Sequence, residues 1–294
     1  MNINKFFLIL AGLFCAYTTI AQQDPNYTFY RYNMNLVNPA FAGASGSEIA
    51  LSIRSQWASV EGAPETQGVF LSHEIGKSVG LGISIINDKT FVESQTSMAL
   101  DFSYKLKFGA STFLYLGLKG AVNSYDVNLE GLETSSATTD PSLSDIDGGF
   151  NPNIGVGALL KGAKYFISLS TPRLLSPERL EDVNGTVKLG EDRMHMYAAG
   201  GYDFSLGTDF VLKPSVMLRY VDASPISVDL TAILSIYQRA EIGLAYRLDE
   251  GISGLLLFNA SSKLKIGYAY ESAFESLIQN VGNGTHEIFI KIGL

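Results

Sequence analysis

Apolar and polar side chains alternate with a period of two along most of this chain, in stretches of about ten residues. In Val228–Ile236, the residues Val228, Leu230, Ala232, Leu234 and Ile236 oppose Asp229, Thr231, Ile233 and Ser235. In Met98–Lys107, Met98, Leu100, Phe102, Tyr104 and Leu106 alternate with Ala99, Asp101, Ser103, Lys105 and Lys107. Lys263–Tyr270 and Glu287–Leu294 repeat the pattern. Successive side chains of a strand point to opposite faces, so each stretch is a strand with one greasy face and one polar face bearing full charges. A soluble sandwich alternates too, and the connections have to discriminate.

The alternation marks about 14 strands, at 48–57, 66–74, 79–87, 94–107, 112–126, 153–160, 165–171, 194–204, 210–221, 227–236, 240–247, 253–259, 263–270 and 286–294. Short turns fall at Ile75–Ser78, Gly109–Ser111, Lys161–Lys164, Ser205–Asp209, Tyr237–Arg239 and Ala260–Ser262. Longer links fall between them, notably Val127–Pro152, Pro172–Arg193 and Glu271–Thr285. An even strand number with short turns at one end and long loops at the other is the pattern of an outer-membrane barrel. Lipid offers backbone groups no hydrogen-bond partner, so a spanning sheet has to close on itself. The expected fold is all-β: a transmembrane antiparallel up-and-down barrel with short periplasmic turns and longer extracellular loops. Tyr104, Tyr125, Tyr220, Tyr246, Tyr268 and Tyr270, near strand ends, suit aromatic girdles at the two interfaces.

Residues Met1–Ala21 read as a secretory signal peptide. Lys5 supplies the positive start, Phe6 to Tyr17 the apolar run, and Thr19-Ile20-Ala21 a cleavage site before Gln22. Phe14 is too bulky for a lipoprotein cleavage ahead of Cys15. No later window holds 18 consecutive apolar residues, so strands have to do any crossing. The organisation expected is a signal peptide over 1–21, a periplasmic segment or plug over 22–47, and an outer-membrane barrel over 48–294. Cys15 is the one cysteine, which excludes an internal disulfide and a cysteine-built zinc site. A net charge of −8 argues against nucleic acid, whose phosphates need clustered cations.

With the apolar faces toward lipid, Arg54, Asp101, Lys105, Lys119, Lys213, Arg219, Asp229, Glu241, Arg247, Lys263 and Lys265 point into the lumen. Mixed charge there reads as an internal ion-pair network stiffening the wall, or as a selectivity filter or docking surface for a threaded segment. A barrel this wide needs water or a plug inside it. Asp145-Ile146-Asp147-Gly148, in the acidic stretch 127–152 with Asp140, lacks the ligand spacing of a calcium loop and reads as flexible acidic chain. A short helix is expected over Pro172–Leu180. Asn184-Gly185-Thr186 and Asn283-Gly284-Thr285 read as turn chemistry. His73, His195 and His286 fall in different strands with no nucleophile motif nearby, so no catalytic residue, cofactor or metal is assigned.

A set of motifs runs along the chain: Gln22-Gln23-Asp24-Pro25 with Tyr27, then Asn38-Pro39-Ala40-Phe41-Ala42-Gly43, then Arg54 and Gln56-Trp57. Glu61-Gly62-Ala63-Pro64 with Thr66, Gly80-Leu81-Gly82 and Asn87-Asp88 follow. Pro152 to Gly157, Ser168 to Pro172, Pro214-Ser215, Pro225 with Asp229-Leu230, Gly267 to Tyr270 and Thr285-His286-Glu287-Ile288 complete the pattern. Together they resemble the PorP/SprF family of type IX secretion system membrane proteins. Thr285 stands where the family has Ser and Glu271 where it has Asp, and the stretch from Val127 does not align. The resemblance implies a non-enzymatic barrel of the outer membrane. Its partners would be a secreted protein with a type IX C-terminal sorting domain, of the gliding-adhesin kind, or periplasmic and outer-membrane secretion components. A passive porin is the rival reading, and an outer-membrane hydrolase a distant third. The Gln22–Gly46 segment plugs the periplasmic mouth or contacts periplasmic machinery, or else is a lead-in packed inside the barrel.

Overall fold

A computed structural model of the chain describes residues 27–128, 146–175, 193–222, 224–274 and 282–294. Within them the backbone is almost entirely strand: β1 Glu48–Ser55, β2 Glu65–Ile75, β3 Val79–Thr90, β4 Glu93–Lys107, β5 Phe113–Val127, β6 Ile146–Lys161 and β7 Tyr165–Arg173. His195–Tyr202 and Phe204–Leu206 both pair with Phe210–Val221, so they are two parts of one strand, β8, interrupted at Asp203. Then come β9 Phe210–Val221, β10 Ser227–Ile236, β11 Ala240–Arg247, β12 Gly251–Asn259, β13 Leu264–Ala273 and β14 Thr285–Gly293. Each strand pairs antiparallel with the next, and β1 pairs with β14, Glu48 opposite Gly293 through Ser55 opposite His286. That last ladder closes a barrel of fourteen strands among the described residues and leaves no long free edge in the bilayer.

The faces follow the alternation. Leu100, Leu118, Leu230, Leu244 and Leu256 are at least half exposed on the outer surface, where lipid replaces water as their solvent. Tyr104, Tyr220, Tyr246, Tyr268 and Tyr270 also face outward. Tyr125 does not: it is 1% exposed and points into the barrel, because it shares the parity of Tyr115, Lys119 and Asn123 on β5.

Three stretches depart from the sequence expectation. β6 begins at Ile146, seven residues before the expected 153, because pairing with β5 carries a weakly alternating Gly-, Asn- and Pro-containing segment into the sheet. Ser124 faces Phe150 while Asp126 faces Asp147, so the Gly148-Gly149 pair sits at a bulge in the ladder, where an extra residue is accommodated. Asp147 therefore belongs to the wall; Asp140 and Asp145 lie outside the described residues. Pro172 and Arg173 end β7 as strand rather than opening a helix, and residues 176–180 lie outside the described residues. Lys263 stands in the turn before β13, exposed, instead of inside the wall. The signal peptide and Asn184-Gly185-Thr186 also lie outside the described residues.

The segment from Tyr27 to Gly46 runs through the lumen. It makes three short 3₁₀ turns, Tyr30–Tyr32, Met34–Leu36 and Pro39–Phe41. The last is set by Asn38, whose Oδ1 accepts from the Ala40 N–H at 2.8 Å, and by Pro39 at the first helical position. Its side chains meet most of the wall. Phe29 packs against Phe289 and inward-facing residues including Phe70, Ile233 and Leu255, and Tyr30, Met34 and Val37 pack against Tyr197, Ala199 and Met217. Ala40 seats on Tyr115 and Leu159. Burying such a side chain is worth roughly 1.5–3 kcal/mol.

Candidate functional site

The wall is shaped to receive this segment. A Cβ on Gly80 would lie 1.9 Å from the Ala42 carbonyl oxygen, one on Gly157 1.9 Å from Asn38 Oδ1, and one on Gly117 2.2 Å from the Ala40 nitrogen. Only glycine lets strand and plug backbones approach so closely. Wall hydroxyls then take the plug's backbone groups, which would otherwise be buried unpaired. Ser103 donates to the Ala42 carbonyl at 2.6 Å, Ser170 to the Val37 carbonyl at 2.8 Å, and the Gly43 N–H donates to Ser72 at 2.7 Å. Asn38, fully buried, donates to Ser168 Oγ at 2.8 Å and the Ala158 carbonyl at 3.1 Å.

The long-loop half of the lumen holds a connected ion-pair cluster. Arg54 reaches Glu271 at 2.8 Å and Glu287 at 3.6 Å. Arg247 reaches Asp229 at 2.6 Å, Glu271 at 3.4 Å and Glu250 at 3.5 Å, and Arg219 reaches Glu250 at 3.9 Å. Glu287 ties the cluster to the plug by accepting the Thr28 N–H at 2.7 Å. Arginine suits this role because its fixed fork serves two carboxylates at once. On the opposite wall a buried pair, Lys119 with Asp101 at 2.8 Å, meets the plug through Lys119 donating to the Asn35 carbonyl. Above the plug, a small cavity is lined by Tyr27, Val37, Ser84, Asp88, Gln95 and Asn123.

Toward the short turns the chemistry changes. Arg31 pairs with Asp203 at 2.5 Å and donates to the Lys213 and Pro214 carbonyls. Lys213 pairs with Glu241 at 2.9 Å, and the Tyr32 hydroxyl donates to the same carboxylate. Burial, and then the Glu241 charge, push the Tyr32 phenol far above its ordinary value, so it remains a donor. Lys291 pairs with Glu48 at 2.6 Å and donates to the Tyr32 carbonyl; Lys161 donates to the Ala44 carbonyl at 2.6 Å.

Of the eleven lumen residues assigned from sequence, Arg54, Arg219, Asp229 and Arg247 come together in the outer cluster. Asp101 and Lys119 form the middle pair, and Lys213 and Glu241 a third group. Lys105 pairs at 3.7 Å with Glu74 and stacks on Phe113. Lys265 lines the short-turn mouth with the exposed Lys263. Sequence reasoning missed the lumen roles of Glu271, which bridges Arg54 and Arg247, of Glu287, which joins Arg54 to the plug, and of Asn38, which anchors the plug. An available signal was the apolar content of the supposedly polar face: Ile233 and Phe289 belong to it, and water would not favour them. The histidines do not converge. His195 is buried inside, His286 meets Tyr268 at 2.7 Å on the outer face, and His73 meets Ser47 at 2.7 Å near the short turns. Among the described residues no three His, Cys, Asp or Glu side chains are placed to hold a metal.

The barrel is similar to several solved outer-membrane proteins. The NanC porin matches with a TM-score of 0.45 at 8% identity, over 85% of this chain and 100% of that one. Omp33 of Acinetobacter baumannii matches at 0.48 and 9% identity, over 84% and 98%, and the CymD monoaromatic hydrocarbon channel at 0.49 and 13%, over 87% and 90%. No curated protein matches the sequence. A family model does, across residues 19–292, and the chain, an outer-membrane β-barrel, belongs to the type IX secretion system membrane proteins of the PorP/SprF family.

Proposed function

We propose that this barrel is a non-enzymatic, closed receptor in the outer membrane. It supports export or surface attachment of a secreted partner by holding that partner's C-terminal sorting domain on the long-loop face. The observation that carries the reading is the plug: Tyr27–Gly46 is hydrogen-bonded and packed to most of the wall, which suits a fixed platform better than a diffusion path. Strands β3 to β6 lengthen the wall on one side, and the inner face of β3 to β5 lines the small cavity above the plug. The outer ion-pair cluster stiffens the opposite side. A partner docking here finds a rigid cup, so little ordering cost opposes binding.

The test is an affinity pull-down of the protein from native outer membranes in mild detergent, with mass spectrometry of what accompanies it. A large secreted protein with a C-terminal sorting domain is expected. Recovery of secretion-machine components alone moves the protein to a core role in the apparatus. A barrel recovered bare, and conducting in planar bilayers, overturns the receptor reading in favour of a porin.

A further inference from the structure

The short-turn mouth has a charge balance opposite to that of the whole chain. A cavity of about 410 Å³ there is lined by six cations, Arg31, Lys161, Lys164, Lys263, Lys265 and Lys291, against two carboxylates, Glu48 and Asp203. The chain as a whole carries −8. The two carboxylates are already engaged by Lys291 and Arg31. Lys164, Lys263 and Lys265 make no ion pair with a described carboxylate, and Lys161 is held by the neutral Ala44 carbonyl and Ser45 hydroxyl. Gathering unpaired like charges in one concavity is unfavourable to the fold, and a low-dielectric wall focuses their field outward. Deeper in the lumen, among the described residues, the cations Arg54, Lys119 and Arg247 each have a carboxylate within 2.8 Å.

We propose that this vestibule is a docking site for an acidic peptide segment of a periplasmic protein. Three features select that class over a small anion or a lipid headgroup. The plug forms the inner end of the cavity, through Tyr32, Met34 and Phe41, so an anion entering from this end has no path onward, and the site captures rather than conducts. Phe41, Tyr165 and Phe166 stand among the cations, and the Arg31 guanidinium lies 5.5 Å from the Phe166 ring. Such alternation of apolar and cationic surface matches a chain bearing both carboxylates and apolar side chains, whereas a bare phosphate gains nothing from the rings. Finally, Arg31, Lys161, Lys265 and Lys291 are on the lumen side of the barrel, and a lipid headgroup held at the outer surface does not reach them. The site is separate from the long-loop face, so it stands or falls independently of the receptor reading.

The experiment uses the full mature chain in detergent and a fluorescein-labelled peptide of alternating Glu and Leu, read by fluorescence anisotropy. The controls are a Gln–Leu peptide and inorganic pyrophosphate as competitor. Binding of the acidic peptide alone is expected, weakening by roughly tenfold from low to high salt, because exposed charge attraction is screened. The Lys164→Glu, Lys263→Glu double variant alters two turn-side residues, and heat-modifiable gel mobility verifies that it folds. It is expected to weaken binding by at least about tenfold, since both sign and field are reversed locally. Equal binding of the Gln–Leu peptide, or no loss in the folded variant, overturns the proposal. Displacement by pyrophosphate at concentrations equal to the peptide's reassigns the cavity to small anions and overturns it as well.

Discussion

The two ends of the lumen, separated by one plug, handle charge in opposite ways. At the long-loop end, three arginines and four carboxylates close on one another, with Arg54 only 2% exposed and Glu287 1%. At the short-turn end, lysines dominate, Lys164 and Lys263 are exposed, and cations exceed carboxylates. The difference teaches which charges hold the barrel and which are available. A guanidinium fork shared between buried carboxylates is structure, since removing it strands the partners. A lysine ammonium at a wet rim contributes little to stability and remains free to meet something else.

The largest break in this comparison comes from joining the two ends. Deleting Tyr27–Gly46 removes the packing of Phe29, Met34 and Ala40 together with the hydrogen bonds to Ser72, Ser103 and Ser170. The variant is expected to conduct ions in planar bilayers where the parent does not, and to lose its compact gel mobility at a lower temperature. A silent variant would mean that the plug is not what closes the pore.

Next in size is Arg54→Met, which leaves Glu271 and the buried Glu287 without their shared cation. Urea unfolding in lipid should register a loss of about 3–5 kcal/mol, the cost of an uncompensated buried charge. A loss below about 1 kcal/mol would erase the distinction between the two ends. Asn38→Ala should cost about 2–3 kcal/mol in the same measurement, because a cap and two buried side-chain bonds disappear together.

At the small end, Lys105→Met breaks a half-exposed pair with Glu74 at 3.7 Å. Its unfolding midpoint should move by less than about 1 kcal/mol equivalent. The contrast between this and Arg54→Met is the sharpest stability test of the two-ended lumen. If both variants lose the same amount, the rim lysines are structural after all.

Much of the barrel was legible in the residues. Val228–Ile236 and Met98–Lys107 alternate so regularly that strand, face and approximate ends follow from a single window. Signals failed where a second strand made the decision. Ile146–Pro152 carries glycine, asparagine and proline, which favour loops locally, and only the β5 ladder draws it into the sheet. Tyr125 is a different case: it sits near a strand end like the girdle tyrosines, but its parity with Lys119 on the same strand, legible in the sequence, turns it inward. His73, His195 and His286 stand on β2, β8 and β14, the separate strands expected of them. Glu271 was assigned to a loop, so its bridge between Arg54 and Arg247 was invisible before the closure of the barrel brought β1 and β11 to either side of it.

By itself the sequence determined a strand number of about fourteen, the lipid-facing side of the regularly alternating strands and most of the inward charges. Period-two alternation is a local property that each segment carries alone. The tertiary structure alone decided what fills the lumen and which charges find partners there. Asn38 and Gly157 are far apart in the chain, as are Ala42 and Gly80, and nothing near any of them encodes a 1.9 Å approach between a plug oxygen and a missing wall Cβ. Partner choice inside a closed barrel depends on register, shear and the path of the plug together, and those exist only once the last strand has met the first.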